Sequence, residues 1–513
     1  MANDQWKATY PASEVEYLEM IESDHRPAII KIRRTTERGL RPFQFDTRLS
    51  KIAEFKDVVQ TSWNQFVESY DESVYGRIKC CRRDISEWKR NHCTNSAIRI
   101  KKLIQAIDTA HSDDQTTMAH IHGLRRDLLQ AYRDEETFWK LKSRNQWLNE
   151  GDRNSKFFHA VTKNRVARNR LTSILRTNGE VIRGNVEIAK EAVGYFGDLF
   201  SSTYSDPSIV LNKINTMVTE PMNADLLADI NEEEIRAALF SIGSTRAPGP
   251  DGFNAAFYQR YWHIVGPAII KEVKLFFTSG KMPEQWNHTN LCLIPKIAIP
   301  QTMKDFRPIS LCNVTYKIIS KILSKRLKNI LPHFISENQA AFTPRRLITD
   351  NVLIAHEILH SLRVRKRCAN SYMAVKTDIS KAYDRIEWGF LEGVLKKKGF
   401  AQQWITWIME CVRSVSFSVL VNGSPYGQFE ATRGLRQGDP LSPQLFILCA
   451  DVLSSLMTQA THENKISGIR ISNGGPSVSH LLFADDSLFF LKADFKNSLN
   501  LLAIFKEYEY ASG

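Results

Sequence analysis

The stretch Ser479-His-Leu-Leu-Phe-Ala-Asp-Asp-Ser-Leu-Phe-Phe-Leu491 decides how this chain folds. Two apolar runs, Leu481 to Phe483 and Leu488 to Leu491, flank Ala484-Asp-Asp-Ser487. This pattern predicts two short strands joined by a tight turn, with adjacent carboxylates at the tip. Asp and Ser also favour turns by themselves, because their side chains bond to nearby backbone groups. A turn without any chemical role is therefore the alternative to a functional site.

A third carboxylate lies upstream, in Met373-Ala-Val-Lys-Thr-Asp-Ile-Ser-Lys-Ala-Tyr-Asp-Arg-Ile-Glu-Trp388. An apolar strand ends at Asp378, and a helix is predicted to follow it. A carboxylate at the end of this strand, facing Asp485 and Asp486 on a neighbouring hairpin, would offer ligands to two divalent ions about 3.5–4 Å apart. Mg²⁺ prefers such oxygen ligands and completes its shell with water and phosphates.

Between these motifs, Gly434-Leu-Arg-Gln-Gly-Asp-Pro-Leu-Ser-Pro443 precedes an apolar helix. The three motifs, in this order and at this spacing, resemble the reverse transcriptases of plant LINE-type (non-LTR) retrotransposons. The resemblance implies an α+β fold, with the fingers and palm of a right-hand polymerase. The palm would be an antiparallel sheet with helices, preceded by a mostly helical basic region, and the thumb would be missing.

The activity that the resemblance implies is RNA-directed DNA polymerisation, in which a primer 3′-hydroxyl attacks the α-phosphate of a deoxynucleotide on an RNA template. Asp378, Asp485 and Asp486 would be the catalytic residues and the metal ligands. Asp378 would bridge two Mg²⁺ ions, for which Mn²⁺ is a possible substitute, Asp485 would bind the catalytic ion, and Asp486 would orient or assist. Asp384 and Asp439 would be structural, capping a helix or pairing with Arg.

The resemblance also implies which residues surround the incoming nucleotide. Arg307, with Lys296 as the second candidate, would neutralise the triphosphate, as phosphoryl transfer requires. Tyr383 would lie under the sugar and clash with a ribose 2′-hydroxyl, although an ordinary core position is the alternative. Gln437 and Gly438 would contact the incoming base and the template, with glycine allowing the backbone to pass close to the nascent pair.

Basic segments predict contacts with the template, through phosphate pairing and base stacking. Residues 141–170 include eight Lys and Arg but only two acidic residues, with aromatic residues interleaved. An amphipathic helix from Thr315 to Leu331 is predicted to turn its Lys and Arg residues outward. The candidate nucleic-acid-binding residues are Arg153, Lys156, Lys321, Arg326 and Arg346. A solvated helix face is the alternative for each basic segment.

One position departs from the family pattern. The segment Glu337 to Asn351 matches a family motif, but Pro344-Arg345-Arg346 stands where the family usually has Pro-Gly-Arg. A glycine there would permit a positive φ or a close backbone approach. Arg345 therefore calls the local turn into question.

The motifs divide the chain into five predicted segments. They are a remnant of an exonuclease/endonuclease/phosphatase-like nuclease (1–33, ending after Ser23-Asp24-His25), a helical basic region (34–170), a connector (171–225), the fingers (226–365) and an incomplete palm (366–513). We expect a chain truncated at both ends and without a working endonuclease. An inactive nucleic-acid-binding fragment lacking the thumb is the alternative function, and a splicing cofactor is a third.

Composition is consistent with a nucleic-acid partner. The 513 residues carry a formal net charge of +13, with a pI of about 9.2, which suits a phosphate backbone. The eight cysteines include no Cys-x-x-Cys pair, which indicates reduced, intracellular thiols, and the spacing of Cys80, Cys81, His92 and Cys93 disfavours zinc. No apolar run reaches the ~20 residues of a membrane helix.

The expected partners are an RNA template, a DNA primer or target and dNTPs. The expected location is the nucleus, with a cytoplasmic ribonucleoprotein stage, and the oligomeric state stays open.

Overall fold

The computed structural model describes residues 42–513 except 66–72, 93–94, 114, 144–154, 204–205, 365–370 and 472–473. Before residue 42 it describes only positions 6, 10, 13–17 and 28–32. The α-helices up to the first family motifs are α1 (Phe55–Asn64), α2 (Val74–Asn91), α3 (Ser96–Ser112), α4 (Met118–Ser143), α5 (Ser155–Arg168), α6 (Asn185–Leu199), α7 (Ser208–Leu211), α8 (Glu220–Leu227), α9 (Glu232–Phe240), α10 (Ala255–Arg260) and α11 (Trp262–Ser279).

The remaining helices lie among the predicted fingers and palm. They are α12 (Val314–Ile330), α13 (Ile348–Val364), α14 (Ala382–Arg385), α15 (Trp388–Lys398), α16 (Gln402–Arg413), α17 (Ser442–His462) and α18 (Phe495–Ser512). The strands are β1 (Glu14–Tyr17), β2 (Ala28–Lys31), β3 (Ser173–Leu175), β4 (Val181–Arg183), β5 (His288–Pro295), β6 (Phe306–Cys312), β7 (Tyr372–Asp378), β8 (Ser416–Val421), β9 (Ser424–Glu430), β10 (Ile469–Arg470), β11 (Ser477–Val478), β12 (His480–Phe483) and β13 (Asp486–Lys492). Helices and sheets together make the chain α+β.

A three-stranded antiparallel sheet carries the predicted carboxylates. Its order is β12-β13-β7, so the hairpin β12–β13 lies beside the strand that ends at Asp378. The sequence predicted both the hairpin and this neighbouring strand, and the structure confirms them. The two loop residues are Ala484 and Asp485, whereas Asp486 already begins β13. Only one of the two adjacent carboxylates therefore lies in the turn itself.

A second sheet of four strands has the order β6-β5-β8-β9. Its pairings are antiparallel except that between β5 and β8, which run parallel. The hairpin β8–β9 turns at Asn422 and Gly423, both with positive φ (52° and 90°), as a two-residue hairpin loop requires. The strands assigned to the fingers and a hairpin assigned to the palm thus share one sheet.

Apolar helices cover these sheets and form the core. Helix α17 is buried along almost its whole length, from Ser442 to Ala460. Helix α12 buries the apolar residues predicted to face inward, which are Ile318, Ile319, Ile322, Leu323, Leu327 and Ile330. The same core includes Phe45, Phe55 and Trp63 from the N-terminal helical region. The first helices of that region are therefore packed on the polymerase-like part.

Residues 171–225, predicted as a connector, are also packed into the fold. They form the hairpin β3–β4 and helices α6, α7 and α8, and α6 lies against β8 and β9. At the end of α6 the Phe200 carbonyl accepts hydrogen bonds from the Thr432 and Arg433 amides at 2.9 and 3.0 Å. This segment therefore supports the approach to the Gly434–Pro443 loop.

Among the described residues, no helix has the length and apolar character needed to cross a membrane.

Candidate active site

Two of the three predicted aspartates face each other across neighbouring strands. Asp378 is the last residue of β7, Asp486 is the first of β13, and the two are register partners. Directly opposite residues project to the same face of a sheet, with Cβ atoms about 4.5–5.5 Å apart. The Lys376 ammonium, two residues back on β7, lies 3.1 Å from an Asp486 carboxylate oxygen. A lysine therefore partly balances the two facing negative charges.

The third aspartate, Asp485, lies in a turn that a distant glutamine holds in place. Ala484 adopts a φ of +55°, and its amide donates to Gln339 Oε1 at 3.2 Å. The same oxygen accepts from the Ala341 amide at 2.9 Å, and Gln339 is fully buried. The Leu482 amide also donates to the carbonyl beside it, that of Asn338, at 2.8 Å. The segment around Gln339 therefore fixes the hairpin tip, a role that its sequence motif did not reveal.

All three aspartates are exposed. Within the described residues, no three His, Cys, Asp or Glu side chains lie close enough together to hold a metal ion. The donor set still fits Mg²⁺, which takes carboxylate oxygens, uses few protein groups and keeps several waters. Asp378 and Asp486, as facing carboxylates, are the pair best placed to share an ion.

Tyr383 is held rigidly next to this site. Its ring stacks on Phe446 of α17, with centroids 4.7 Å apart and planes at 14°. Burial, together with the charge of nearby Asp485, raises the pKa of the phenol. The ring is therefore fixed from below by a buried helix and lies near the hairpin tip. Its predicted role under the sugar stays a prediction.

The Gly434–Pro443 loop is bound to strand β6. The Ser310 amide donates to the Gln437 carbonyl at 2.8 Å, and the Gln437 side-chain amide donates to Asp384 Oδ1 at 2.9 Å. Gly438 has a φ of +111°, and a Cβ there would lie 3.1 Å from the Ser310 carbonyl oxygen. The backbone that Gly438 approaches is thus that of β6, and contact with a nascent base pair stays a prediction.

The two further aspartates of these motifs are buried. Asp439 accepts hydrogen bonds from Tyr316 Oη at 2.6 Å and from Arg436 at 3.0 Å, so the predicted pairing with an arginine is confirmed. Asp384 has Gln437 as its hydrogen-bond donor instead. Burial raises the pKa of the Asp384 carboxyl to about 6, against the opposing effect of the hydrogen bond from Gln437.

The two predicted triphosphate-binding cations lie on β6 and directly after β5, and a further lysine directly precedes α14. Arg307 is exposed on β6, and its side chain makes no hydrogen bond or ion pair within the described part of the chain. Lys296 Nζ donates to the Lys304 carbonyl at 3.2 Å. Lys381, which sequence reasoning did not single out, has a φ of +55° and donates to the Tyr195 hydroxyl. Burial lowers the pKa of its ammonium.

The predicted outward orientation of Arg326 is wrong. Its guanidinium forms a bidentate ion pair with the carboxylate of Glu234 on α9, with N–O distances of 2.9 and 2.7 Å. It also donates to the carbonyls of Leu226, in the last turn of α8, and of Ala228 and Asp229, which follow that helix. The side chain is therefore turned toward α8 and α9, where it joins three helices and keeps few donors for a phosphate.

Arg346 is also used within the protein. Its guanidinium donates to the backbone carbonyls of Ile335, Ser336 and Gln339, the segment that holds the hairpin tip. The preceding Arg345 has a φ of +65°. The turn that glycine would favour is therefore retained by an arginine, and Arg346 has a structural task in addition to the predicted contact with nucleic acid.

The other nucleic-acid candidates are described only in part. Lys321 is half-buried, and burial with the neighbouring Arg246 and Lys328 lowers the pKa of its ammonium. It therefore lies in a cluster of positive charge, as a phosphate contact would require. Arg153 and the Lys156 side chain lie outside the described residues.

The remaining candidates near the N-terminus give no site. Asp24, His25 and Cys93 lie outside the described residues. Cys81 is buried, which raises the pKa of its thiol to about 12, and the described part of the chain includes no metal-binding group around it.

Comparison with known proteins identifies the part of the chain that carries these motifs. Residues 294–509 match the family model described as "Reverse transcriptase (RNA-dependent DNA polymerase)". This range contains β6, the Gly434–Pro443 loop and all three aspartates. Residues 294–509 are therefore a reverse transcriptase domain, a family described as RNA-dependent DNA polymerases.

Similar proteins extend the match beyond this domain. An uncharacterized 149 kDa protein of transposon TX1 from Xenopus laevis is 26% identical over 455 residues, which cover 88% of this chain and 33% of that protein. A Pol polyprotein of the type-2 retrotransposable element R2DM from Drosophila melanogaster is 27% identical over 276 residues, or 54% of this chain and 25% of the polyprotein. An uncharacterized mitochondrial protein of Arabidopsis thaliana is 56% identical over 68 residues, 13% of this chain and 56% of that protein. The chain thus spans only a part of each of these relatives.

Proposed function

We propose that this chain is the polymerase part of a non-LTR retrotransposon protein and synthesises DNA on an RNA template. The observation that carries the proposal is the pairing of Asp378 with Asp486 across β7 and β13, with Asp485 in the turn beside them. This arrangement lies inside the reverse transcriptase domain. It brings together carboxylates that are distant in sequence, and all three are exposed.

In the proposed mechanism Asp378, Asp485 and Asp486 would hold two Mg²⁺ ions, or Mn²⁺ in their place. Such ions, when bound, activate an attacking hydroxyl and stabilise the charge on a leaving phosphate. The Lys376–Asp486 pair has to open first. Both partners are more than half exposed, and exposed pairs contribute only about 0–1 kcal/mol, so this pair is a weak competitor for a divalent ion.

The chain's own residues would orient and neutralise the substrates. Arg307, whose guanidinium has no partner in the described structure, would pair with the triphosphate, with Lys296 nearby. Tyr383, fixed on its stacking partner, would block the position of a ribose 2′-hydroxyl. Gln437, held by Asp384, would present its remaining amide oxygen to the incoming nucleotide.

Primer extension on a primed RNA template, with dNTPs and Mg²⁺, tests the proposal. Asp485→Asn is expected to reduce extension by at least about a hundredfold, because metal ions supply several kcal/mol of transition-state stabilisation. Asp494→Asn is the matched control, since Asp494 caps α18 through its Oδ1 and asparagine is an equally good cap.

Filter binding of the same RNA distinguishes the alternative function. Extension by the unmodified chain that Asp485→Asn abolishes would support the polymerase. No extension by either protein, with equal and salt-sensitive RNA binding by both, would support a binding fragment instead. We further propose an RNA template, a DNA primer or target and dNTPs as partners, a plant element as the origin, and nuclear action with a cytoplasmic ribonucleoprotein stage.

A further inference from the structure

A cleft of about 150 Å³ opens between helix α2 and the beginning of strand β5. Tyr75, Lys79 and Arg82 of α2 form one wall, and Trp286 and Thr315 belong to the other. The wall formed by α2 lies outside the residues that match the reverse transcriptase family. Among the lining residues only Asn313 and Thr315 lie within that match, so the cleft is formed mainly by residues that precede the domain.

Unpaired positive charge surrounds the cleft. Lys79 and Arg82 are three residues apart and so project from one face of α2, and both are exposed. Lys317 of α12 is half-buried and close enough to act on the carboxyl of Asp251, another lining residue. In the described part of the chain, these three side chains make no ion pair and no hydrogen bond. Their charges are available to an anion.

The N-terminus of α12 adds further donors. The N-cap residue Asn313 lines the cleft but makes no capping bond with its side chain. Its Oδ1 accepts from the Asp251 amide at 3.2 Å, and its Nδ2 donates to the Gln285 carbonyl at 3.1 Å. The amides of the first turn are therefore left without a side-chain cap. The beginning of a 17-residue helix attracts negative charge through such amides and through its dipole.

Trp286 supplies an independent sign of a missing acceptor. The residue is only 2% exposed, and its indole N–H has no hydrogen-bond partner among the described residues. Buried donors are almost always paired in folded proteins. The neighbouring Gln285 has a φ of +59°, a conformation that is uncommon for a residue other than glycine.

One carboxylate opposes an anion here. Burial raises the pKa of Asp251 to about 6, although the Phe253 amide, Tyr258, Lys317 and Arg82 act against that rise. Its oxygens already accept from the Phe253 amide and from Tyr258 Oη, at 2.9 and 3.1 Å. His288 also lines the cleft, and burial lowers the pKa of its imidazole. Anion binding is therefore expected to strengthen when Asp251 is neutral.

We propose that this cleft binds a backbone phosphate of single-stranded nucleic acid, with the adjoining base stacked on Tyr75. Phosphate oxygens need the cations and N–H donors that converge here. Tyr75, at the rim and 37% exposed, provides a face for a base, as in other single-strand sites. That aromatic face favours a strand over a free phosphate ion. The site does not depend on the proposed polymerase activity.

A pair of neutralising substitutions tests the site in the full chain. Lys79→Gln with Arg82→Gln is expected to weaken binding of a labelled ten-nucleotide poly(U) RNA about tenfold at moderate salt. It should also reduce the slope of log K against log salt by about 0.7, the contribution of one single-strand phosphate contact. Lys101→Gln with Lys102→Gln on α3 removes the same charge at exposed positions and should change the affinity less than twofold. Equal effects of the two pairs would overturn the proposal.

Chemical acetylation followed by mass spectrometry gives a readout confined to the cleft. The RNA is expected to protect Lys79 from acetylation and to leave Lys101 reactive. The same protection is expected in the Asp485→Asn variant, because the cleft is separate from the candidate active site. Protection of Lys79 by inorganic phosphate but not by RNA would overturn the assignment to a strand.

Asp251→Asn should tighten RNA binding about threefold at pH 7.5 and match the affinity of the unmodified chain at pH 5. Weaker binding by this variant at both pH values, with Lys79 unprotected, would contradict an anion site.

Discussion

Lys398 and Asp451 form a buried ion pair on which the candidate active site depends. Their side chains are 1% and 4% exposed, and Lys398 Nζ lies 2.7 Å from Asp451 Oδ2. The other carboxylate oxygen accepts from the Ser336 amide at 2.8 Å. Ser336 begins the segment that continues through Gln339 to the hairpin tip. The pair thus joins helices α15 and α17 to the backbone that positions Asp485.

Lys398→Met is expected to destabilise the protein by about 3–5 kcal/mol, because it leaves a buried carboxylate without its partner. The double variant that combines Lys398→Met with Asp451→Asn should recover most of the stability that Lys398→Met loses. The asparagine still accepts from the Ser336 amide, and removing both charges also removes the penalty of burying them. The expected coupling between the two positions is therefore about 2–3 kcal/mol, within the range for residues in contact.

Urea unfolding of the two single variants and the double variant measures this coupling. Lys396→Met is the control on the same helix, because the Lys396–Glu392 pair is exposed on the lysine side and should contribute less than about 0.5 kcal/mol. Primer extension should fall in Lys398→Met and return in the double variant. A loss below about 1 kcal/mol in Lys398→Met, or strictly additive effects, would refute the reasoning.

Three further predictions concern single side chains. Arg345→Gly should stabilise the protein by about 0.5–1 kcal/mol in urea unfolding. Relief of the strain of a left-handed arginine backbone outweighs the greater freedom of glycine in the unfolded chain. Arg345→Ala should leave the free energy of unfolding unchanged. Tyr383→Val should reduce discrimination against ribonucleotides by up to about a hundredfold in single-nucleotide incorporation, and Tyr383→Phe should retain it. Burial lowers the pKa of His480 from 6.5 to about 4, so the stability that its neutral form contributes is complete above pH 6.5. This contribution is lost at up to about 1.4 kcal/mol per pH unit as the pH falls from 6.5 to about 4. In urea unfolding, the free energy of unfolding of His480→Asn should therefore depend less on pH than that of the unmodified chain.

The sequence predicted the elements whose signals are local. The apolar runs around Ala484 and the strand ending at Asp378 were readable because side chains alternate between the two faces of a strand. The inward face of α12 was readable because its apolar residues repeat with the helical period. The sequence also predicted that Asp378 faces the hairpin that carries Asp485 and Asp486, but not which of the two is its register partner. The strand and helix patterns need no knowledge of distant partners.

Features that depend on distant partners were missed or predicted wrongly. Arg326 was expected to face outward because its neighbours on α12 are basic, but the acceptor that turns it inward, Glu234, lies 92 residues earlier. The parallel pairing of β5 with β8 and the packing of α6 on the same sheet likewise join segments far apart in the chain. No periodicity in the sequence records such contacts, because each one depends on the tertiary fold.

The backbone at the candidate active site shows why local turn signals were insufficient there. A two-residue hairpin loop usually takes Asn-Gly or Asp-Gly, since its central residues need positive φ, yet this loop uses Ala484 at +55°. Such a conformation costs about 1–3 kcal/mol and persists only where surrounding structure imposes it. Gln339 imposes it here through the bond to the Ala484 amide, and Tyr195 contacts Lys381, which also has a φ of +55°. Strain at both ends of the Asp378–Asp486 pairing therefore points to a site whose geometry is set by side chains outside the turn. The Glu337–Asn351 motif contains Gln339 but does not reveal this role.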